Sequence, residues 1–184
     1  MKRHAYSLGS FIAVFALVLS ACDEKEEGPD PLAGTYVFTS AVFNEAVTIT
    51  VQSQEVTFPA GSDASDFVGP GLLSAAPCDD TQNAAIELNK DGKANFVCVG
   101  EANTEQMGTW SINEERTLLN LYLSNPAPFS LNITNLESTS TSFSGTVENF
   151  PLPKDASVAV GGILAGGVIN YQVASVDLTF TRVP

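Results

Sequence analysis

Histidine is nearly absent from this chain: among 184 residues there is only His4, which stands ahead of an apolar run at the N-terminus. Without an imidazole in the body of the chain, Ser-His-Asp and Cys-His nucleophile systems and ordinary zinc sets are excluded. Cations are scarce as well, eight Lys and Arg against 21 Asp and Glu. The net charge of −13 repels phosphate backbones and anionic headgroups, which excludes nucleic acid as a partner. Carboxylate pairs remain as the acid–base chemistry within reach. The candidates, Asp79 with Asp80 and Glu114 with Glu115, are adjacent residues in polar, turn-like sequence, and neighbours on a strand point to opposite faces. We therefore assign no catalytic residue, metal ligand or cofactor and expect a protein that is not an enzyme. Long apolar runs are also missing. Leu8 to Leu19 reaches roughly 18 Å as a helix, against a hydrocarbon core of about 30 Å.

That short run has a different use. It follows Lys2 and Arg3 and ends at Leu19-Ser20-Ala21-Cys22, the order of a cleaved export leader: cationic start, apolar stretch, small residues. Those four residues resemble the lipobox of bacterial lipoproteins. The resemblance implies that residues 1–21 are a signal peptide and that Cys22 is the lipid attachment residue, carrying a diacylglycerol and acyl chains such as palmitate. Each buried methylene contributes about 0.8 kcal/mol, so several chains exceed the marginal hold of one. Loss of Lys2 and Arg3 leaves six cations against the 21 acids, a net −15, so attachment to a membrane must come from lipid. Residues 22–31, with four acids after Cys22 and then Gly28, Pro29, Asp30 and Pro31, have nothing apolar to bury and read as a flexible acidic tether. Within it, Lys25, Glu26 and Glu27 resemble the lysine-plus-acidic export signals of Bacteroidota surface lipoproteins. The implied location is the outer membrane, exposed at the cell surface, or otherwise facing the periplasm.

Two further cysteines, Cys78 and Cys98, belong to a chain that passes through an oxidising compartment, and pairing them is the economical reading. A free or metal-binding thiol pair is the competing one, and it lacks histidine partners. Closing that loop stabilises a fold by roughly 3 kcal/mol in the chain-entropy account.

From residue 32 to residue 184 the apolar pattern has period two, with frequent turn residues, and it predicts one all-β domain. Val37, Thr39 and Ala41 alternate with Tyr36, Phe38 and Ser40; Val47, Ile49 and Val51 alternate with polar residues; these predict two antiparallel strands. Pro59 to Asp80 reads as a long loop, of a length that is uncommon unless functional or mobile. In Ile86 to Cys98, Asp91-Gly92 supplies the positive-φ turn of a tight hairpin rather than a calcium loop, whose later ligands are missing. Strands are further expected over Met107–Asn113, Thr117–Leu123, Phe129–Leu136, Ser142–Phe150, Ile169–Val173 and Val176–Val183. Asn132-Ile133-Thr134 matches a glycosylation acceptor but falls inside one of them. No amphipathic helix is expected. An antiparallel meander of this many strands closes into a barrel, which removes the exposed edges. Residues 156–168, apolar with Gly161, Gly162, Gly166 and Gly167, fit a bent strand with its connection or an apolar flap near a barrel mouth.

Leu32-Ala33-Gly34-Thr35-Tyr36 resembles the start of lipocalin-like domains, where a Gly-x-aromatic element opens the first strand. Met107-Gly108-Thr109-Trp110-Ser111-Ile112 resembles their mid-domain Gly-Thr-Trp strand. Between them Cys78, Asp91, Gly92 and Cys98 fall in the same order as in lipocalin-like lipoproteins. The resemblance covers about residues 32–183 and implies a barrel that binds a small, mostly apolar ligand without chemistry. Tyr36 stands where classical lipocalins carry Trp, which is a departure from the ligand-carrying branch. Candidate ligand-binding residues are Tyr36, Phe38 and Trp110, each with a place in a filled core as its competing reading. The alternative function is an accessory or adhesion module that recognises a protein or glycan through its loops.

Overall fold

The computed structural model describes residues 30–73, 75–124, 128–156 and 171–184. Cys22, Lys25, Glu26 and Glu27 lie outside the described residues, as does all but the start of segment 156–168.

Eight strands close into one antiparallel barrel. They are β1 (Gly34–Phe43), β4 (Ala84–Leu88), β5 (Lys93–Cys98), β6 (Thr104–Ile112), β7 (Leu119–Leu123), β8 (Phe129–Ser138), β9 (Ser142–Pro153) and β10 (Tyr171–Arg182). From β4 to β10 each strand pairs with the next, and β1 closes the ring between β10 and β4. The period-two pattern is the cause. Leu119, Leu121 and Leu123 of β7 and Ala174, Val176, Leu178 and Phe180 of β10 are buried, and the residues between them are not. At the β4–β5 hairpin Gly92 adopts φ +79° and Asp91 accepts a hydrogen bond from the Lys93 amide, so Asp91-Gly92 makes the expected turn.

The first part of the chain departs from the expected layout. The strand predicted beside β1, β2 (Val47–Val51), leaves the barrel and pairs with β3 (Gln54–Phe58). Their turn holds Gln52 at φ 50° and Ser53 at φ 66°. Two positive φ values are the mark of a type I′ hairpin, which Gly and Asn usually signal, so this one was hidden from the sequence. Pro59 to Asp80 is not a plain loop either. It contains a helix, α1 (Ser65–Leu73), followed by a 3₁₀ turn at Thr81–Asn83. Gly69, Pro70 and Gly71 give this helix poor propensity, and contacts from outside hold it. The Ala64 amide donates to the Ala41 carbonyl, the Ala41 amide to Ser65 Oγ, and the Ser65 amide to Asp63. Phe67 of α1, Phe58 of β3 and Phe43 of β1 meet with ring centroids 5.3 to 6.0 Å apart, which fixes hairpin and helix to the same strand. The two strands expected over 169–183 are one strand, β10; the irregularity opposite Ser175 lies in β9, where Glu148 and Asn149 both stand between the Ala174–Phe150 and Val176–Val147 pairs.

The barrel has two unlike ends. At the first, Arg182 lies over the Tyr36 ring, 5.0 Å from its centroid. Its guanidinium donates to the Tyr36 hydroxyl and to the Ala33 and Pro31 carbonyls. Arg116 makes a two-pronged pair with Asp30 at 2.8 and 2.9 Å. Asp30 and Pro31, expected as the end of the tether, are therefore docked on the barrel. From this sealed end aromatic rings run inward in contact: Tyr36 with Phe143, Phe143 with Phe180, and Phe180 with Phe38. The excursion of β2, β3 and α1 crosses the opposite end.

Candidate functional site

The site arises where two strands part. β1 and β4 pair only over Gly34 to Val37 against Leu88 to Ala85. Beyond Val37, β1 runs on to Phe43, whereas β4 has only Ala84 left. The fork between them is bridged by α1 on one side and the 3₁₀ turn on the other. It leaves a cleft of about 530 Å³ lined by Val37, Phe38, Ser65, Gly69, Pro70, Leu73, Thr81, Gln82 and Ala84. That volume falls inside the range of small-molecule sites, about 300–1,000 Å³.

Each wall has a local cause. Gly69 brings α1 close to β1: a Cβ there would stand 2.9 Å from Phe38 Cε1, so a larger residue would push that ring. Pro70 and Leu73 carry the apolar wall toward the helix end. The opposite wall is fixed from outside the cleft. Asp80 accepts a 2.9 Å bond from the Gln82 amide and so shapes the 3₁₀ turn. Glu101 accepts from the Asn83 carboxamide at 3.2 Å and from the Asp79 amide at 3.3 Å. The Asn83 bond, with the Asp79 amide behind it, holds the Glu101 carboxyl below the usual carboxylate range. The Ser65 hydroxyl and amide do the same for Asp63. The disulfide ties Cys78, just before this wall, to Cys98 on β5.

The three candidate ligand residues are not brought together. Phe38 lines the cleft, and the ring contacts place it at the inner end of the aromatic chain. Tyr36 is fully buried beneath Arg182 at the sealed end and does not line the cleft. Trp110 is buried too, and its indole N–H donates 2.8 Å to the Asn89 carbonyl in the β4–β5 turn, again at the sealed end. Alternation places Tyr36 and Phe38 on one face, but that face runs the length of the barrel. Two positions along a strand, about 7 Å, separate a plug from a cleft wall. The residues of α1 and the 3₁₀ turn carried no motif. Their one signal was the unusual length of the stretch that holds them.

The carboxylate pairs stay apart from the cleft's interior. Asp79, Asp80, Glu114 and Glu115 are exposed, with Asp80 capping the 3₁₀ turn and Glu115 accepting from Asn113 at 2.9 Å. Asn132 is an exposed residue of β8. Among the described residues there is no cluster of three His, Cys, Asp or Glu side chains placed to hold a metal.

In comparisons with known proteins, no family model, curated protein or solved structure matches this chain. What the chain does show is a class of architecture: a closed eight-stranded antiparallel barrel with one disulfide, sealed at one end and forked into an apolar cleft toward the other.

Proposed function

We propose that this protein is a lipid-anchored, lipocalin-like lipoprotein of the Bacteroidota type that holds a small, mostly apolar ligand in the β1–α1–β4 cleft and carries out no reaction. The observation that carries the reading is the cleft itself. It is an apolar space of about 530 Å³ in the wall of a barrel whose opposite end is filled by side chains. Anchoring through Cys22 is supported by the leader and lipobox sequence. The docking of Asp30 adds a geometric point. Asp30, where the tether ends, is paired with Arg116 at the sealed end, so an anchored barrel turns its excursion of β2, β3 and α1 away from the membrane. The cleft would then collect ligand from the aqueous side. The export-signal residues Lys25, Glu26 and Glu27 point to the cell surface as that side.

A titration with the neutral, solvatochromic dye N-phenyl-1-naphthylamine tests this reading. The full chain carrying Cys22→Ser, which cannot be acylated, is expected to bind one equivalent with a blue-shifted emission. Leu73→Trp, which fills the cleft from the helix side, is expected to weaken binding at least about tenfold. Equal binding by Leu73→Trp and the parent would remove the cleft as the site.

The accessory-module reading rests on a different feature. Tyr171 and Val173, 60% and 54% exposed, sit side by side on the outer face of β10. Retrieval of a stoichiometric protein from detergent-solubilised membranes, lost in Tyr171→Ser, would favour that reading over the carrier.

A further inference from the structure

Resting on the cleft's role as a ligand site, we infer that it selects by charge: it takes apolar ligands with an uncharged or cationic head and rejects anionic ones. The basis is where the few cations of this chain stand. Of the five described Lys and Arg residues, Lys90, Lys93, Arg116 and Arg182 lie at the sealed end, in or beside the β4–β5 turn, the β6–β7 turn and the end of β10. The fifth, Lys154, follows β9, where its carbonyl accepts from the Thr50 amide of β2. None lines the cleft. The cleft is instead flanked in sequence by acids on both of its walls: Asp63 and Asp66 around Ser65, and Asp79 and Asp80 before Thr81. Hydrogen bonds from Ser65 keep Asp63 ionised, and Asp80 is committed to capping the Gln82 amide.

Selectivity then follows from what a buried head group would meet. A carboxylate or phosphate in an apolar cleft needs a cation or several N–H donors to replace its water, and its desolvation is costly without them. Ser65 is already engaged, accepting from the Ala41 amide and bonding Asp63. Thr81 and Gln82 are left. Both are exposed at the mouth, and neither side chain has a hydrogen-bond partner among the described residues. A hydroxyl and a carboxamide offer neutral donors and acceptors, which suit an alcohol, amide or ester head. The acidic surroundings add attraction for an ammonium head and repulsion for an anion. A fatty-acid anion thus has the wrong charge for this cleft.

Three probes with the same tail separate the possibilities: dodecanol, dodecylammonium and dodecanoate, each below its micelle-forming concentration, titrated by calorimetry at pH 7.5 into the full chain bearing Cys22→Ser. The expected order has the alcohol and the ammonium at least about tenfold tighter than the carboxylate, a difference of about 1.4 kcal/mol. Gln82→Lys, an exposed substitution at the mouth, is expected to raise dodecanoate affinity by about tenfold and lower that of dodecylammonium. Dodecanoate binding as well as dodecanol in the parent protein would overturn the charge selection while leaving the ligand site standing. Binding of none of the three would overturn the ligand site, and the selection with it.

Discussion

Removing the Cys78–Cys98 bridge, by Cys78→Ala with Cys98→Ala, perturbs stability and the cleft together, and the two effects have separate sizes. The cysteines are 20 positions apart. In the chain-entropy account a loop of that length costs the unfolded chain about 11 cal/mol/K, so the bridge stabilises the fold by about 3.3 kcal/mol at 25 °C. Cys98 is almost fully buried between the ladders of β4 and β6, and trimming it to Ala adds up to about 1 kcal/mol for the lost sulfur. The expected loss is therefore about 3–4 kcal/mol, read as a lower urea midpoint in equilibrium unfolding. The cleft responds for a local reason. Without the bridge, the wall around Thr81 is left with hydrogen bonds, those of Asp79 and Asn83 to Glu101, the Asp80 cap and the Val99 amide to the Asn83 carbonyl. Dye affinity should then fall about three- to tenfold under conditions where the barrel is still folded. A stability loss below about 1 kcal/mol would refute the entropy argument, and an unchanged affinity would show that the bridge does not hold the cleft wall.

Other perturbations separate the two ends of the barrel. Trp110→Phe removes the indole donor from the Asn89 carbonyl at the sealed end and should cost about 1–3 kcal/mol in urea unfolding, with dye affinity unchanged. Asp30→Asn should cost under about 1 kcal/mol at pH 7, since the Arg116 pair is partly exposed. The hydrogen bond from Arg116 lowers the pKa of Asp30 below its ordinary value of 3.8. Its contribution is therefore present above pH 3.8 and fades as pH falls through the depressed value, so wild type and Asp30→Asn should converge in acid. Cys22→Ser should leave a protein without acyl mass by intact mass spectrometry. Replacing Lys25, Glu26 and Glu27 by Ala should protect the domain from protease added to intact cells.

The barrel was legible from residue alternation because the inward positions of β7 and those of β10 from Ala174 to Phe180 are aliphatic or aromatic side chains, and because Asp91-Gly92 is a local turn signal that tertiary structure left intact. The cleft was not legible. Its helix wall has Gly69, Pro70 and Gly71 at its centre and is held by Phe43, Phe58 and Phe67, rings brought together only by the fold. The β2–β3 turn uses Gln52 and Ser53 where Gly or Asn is usual, so the strand after it carried no boundary. Among the candidate ligand residues, composition could mark Tyr36, Phe38 and Trp110 as aromatic and inward. The position of Arg182 separates the plugged end from the open fork, and that position depends on a contact between β10 and β1, which are far apart in sequence.

A crystal structure of the full chain bearing Cys22→Ser, grown with 11-bromoundecan-1-ol, would locate the ligand, because the bromine marks it by its anomalous signal. Ligand binding in the cleft requires a single bromine site between α1 and β1, within contact of Phe38 and Leu73, with the hydroxyl toward Thr81 and Gln82. A bromine at the Tyr36 and Trp110 end, on the outer face beside Tyr171, or nowhere on the protein would contradict it.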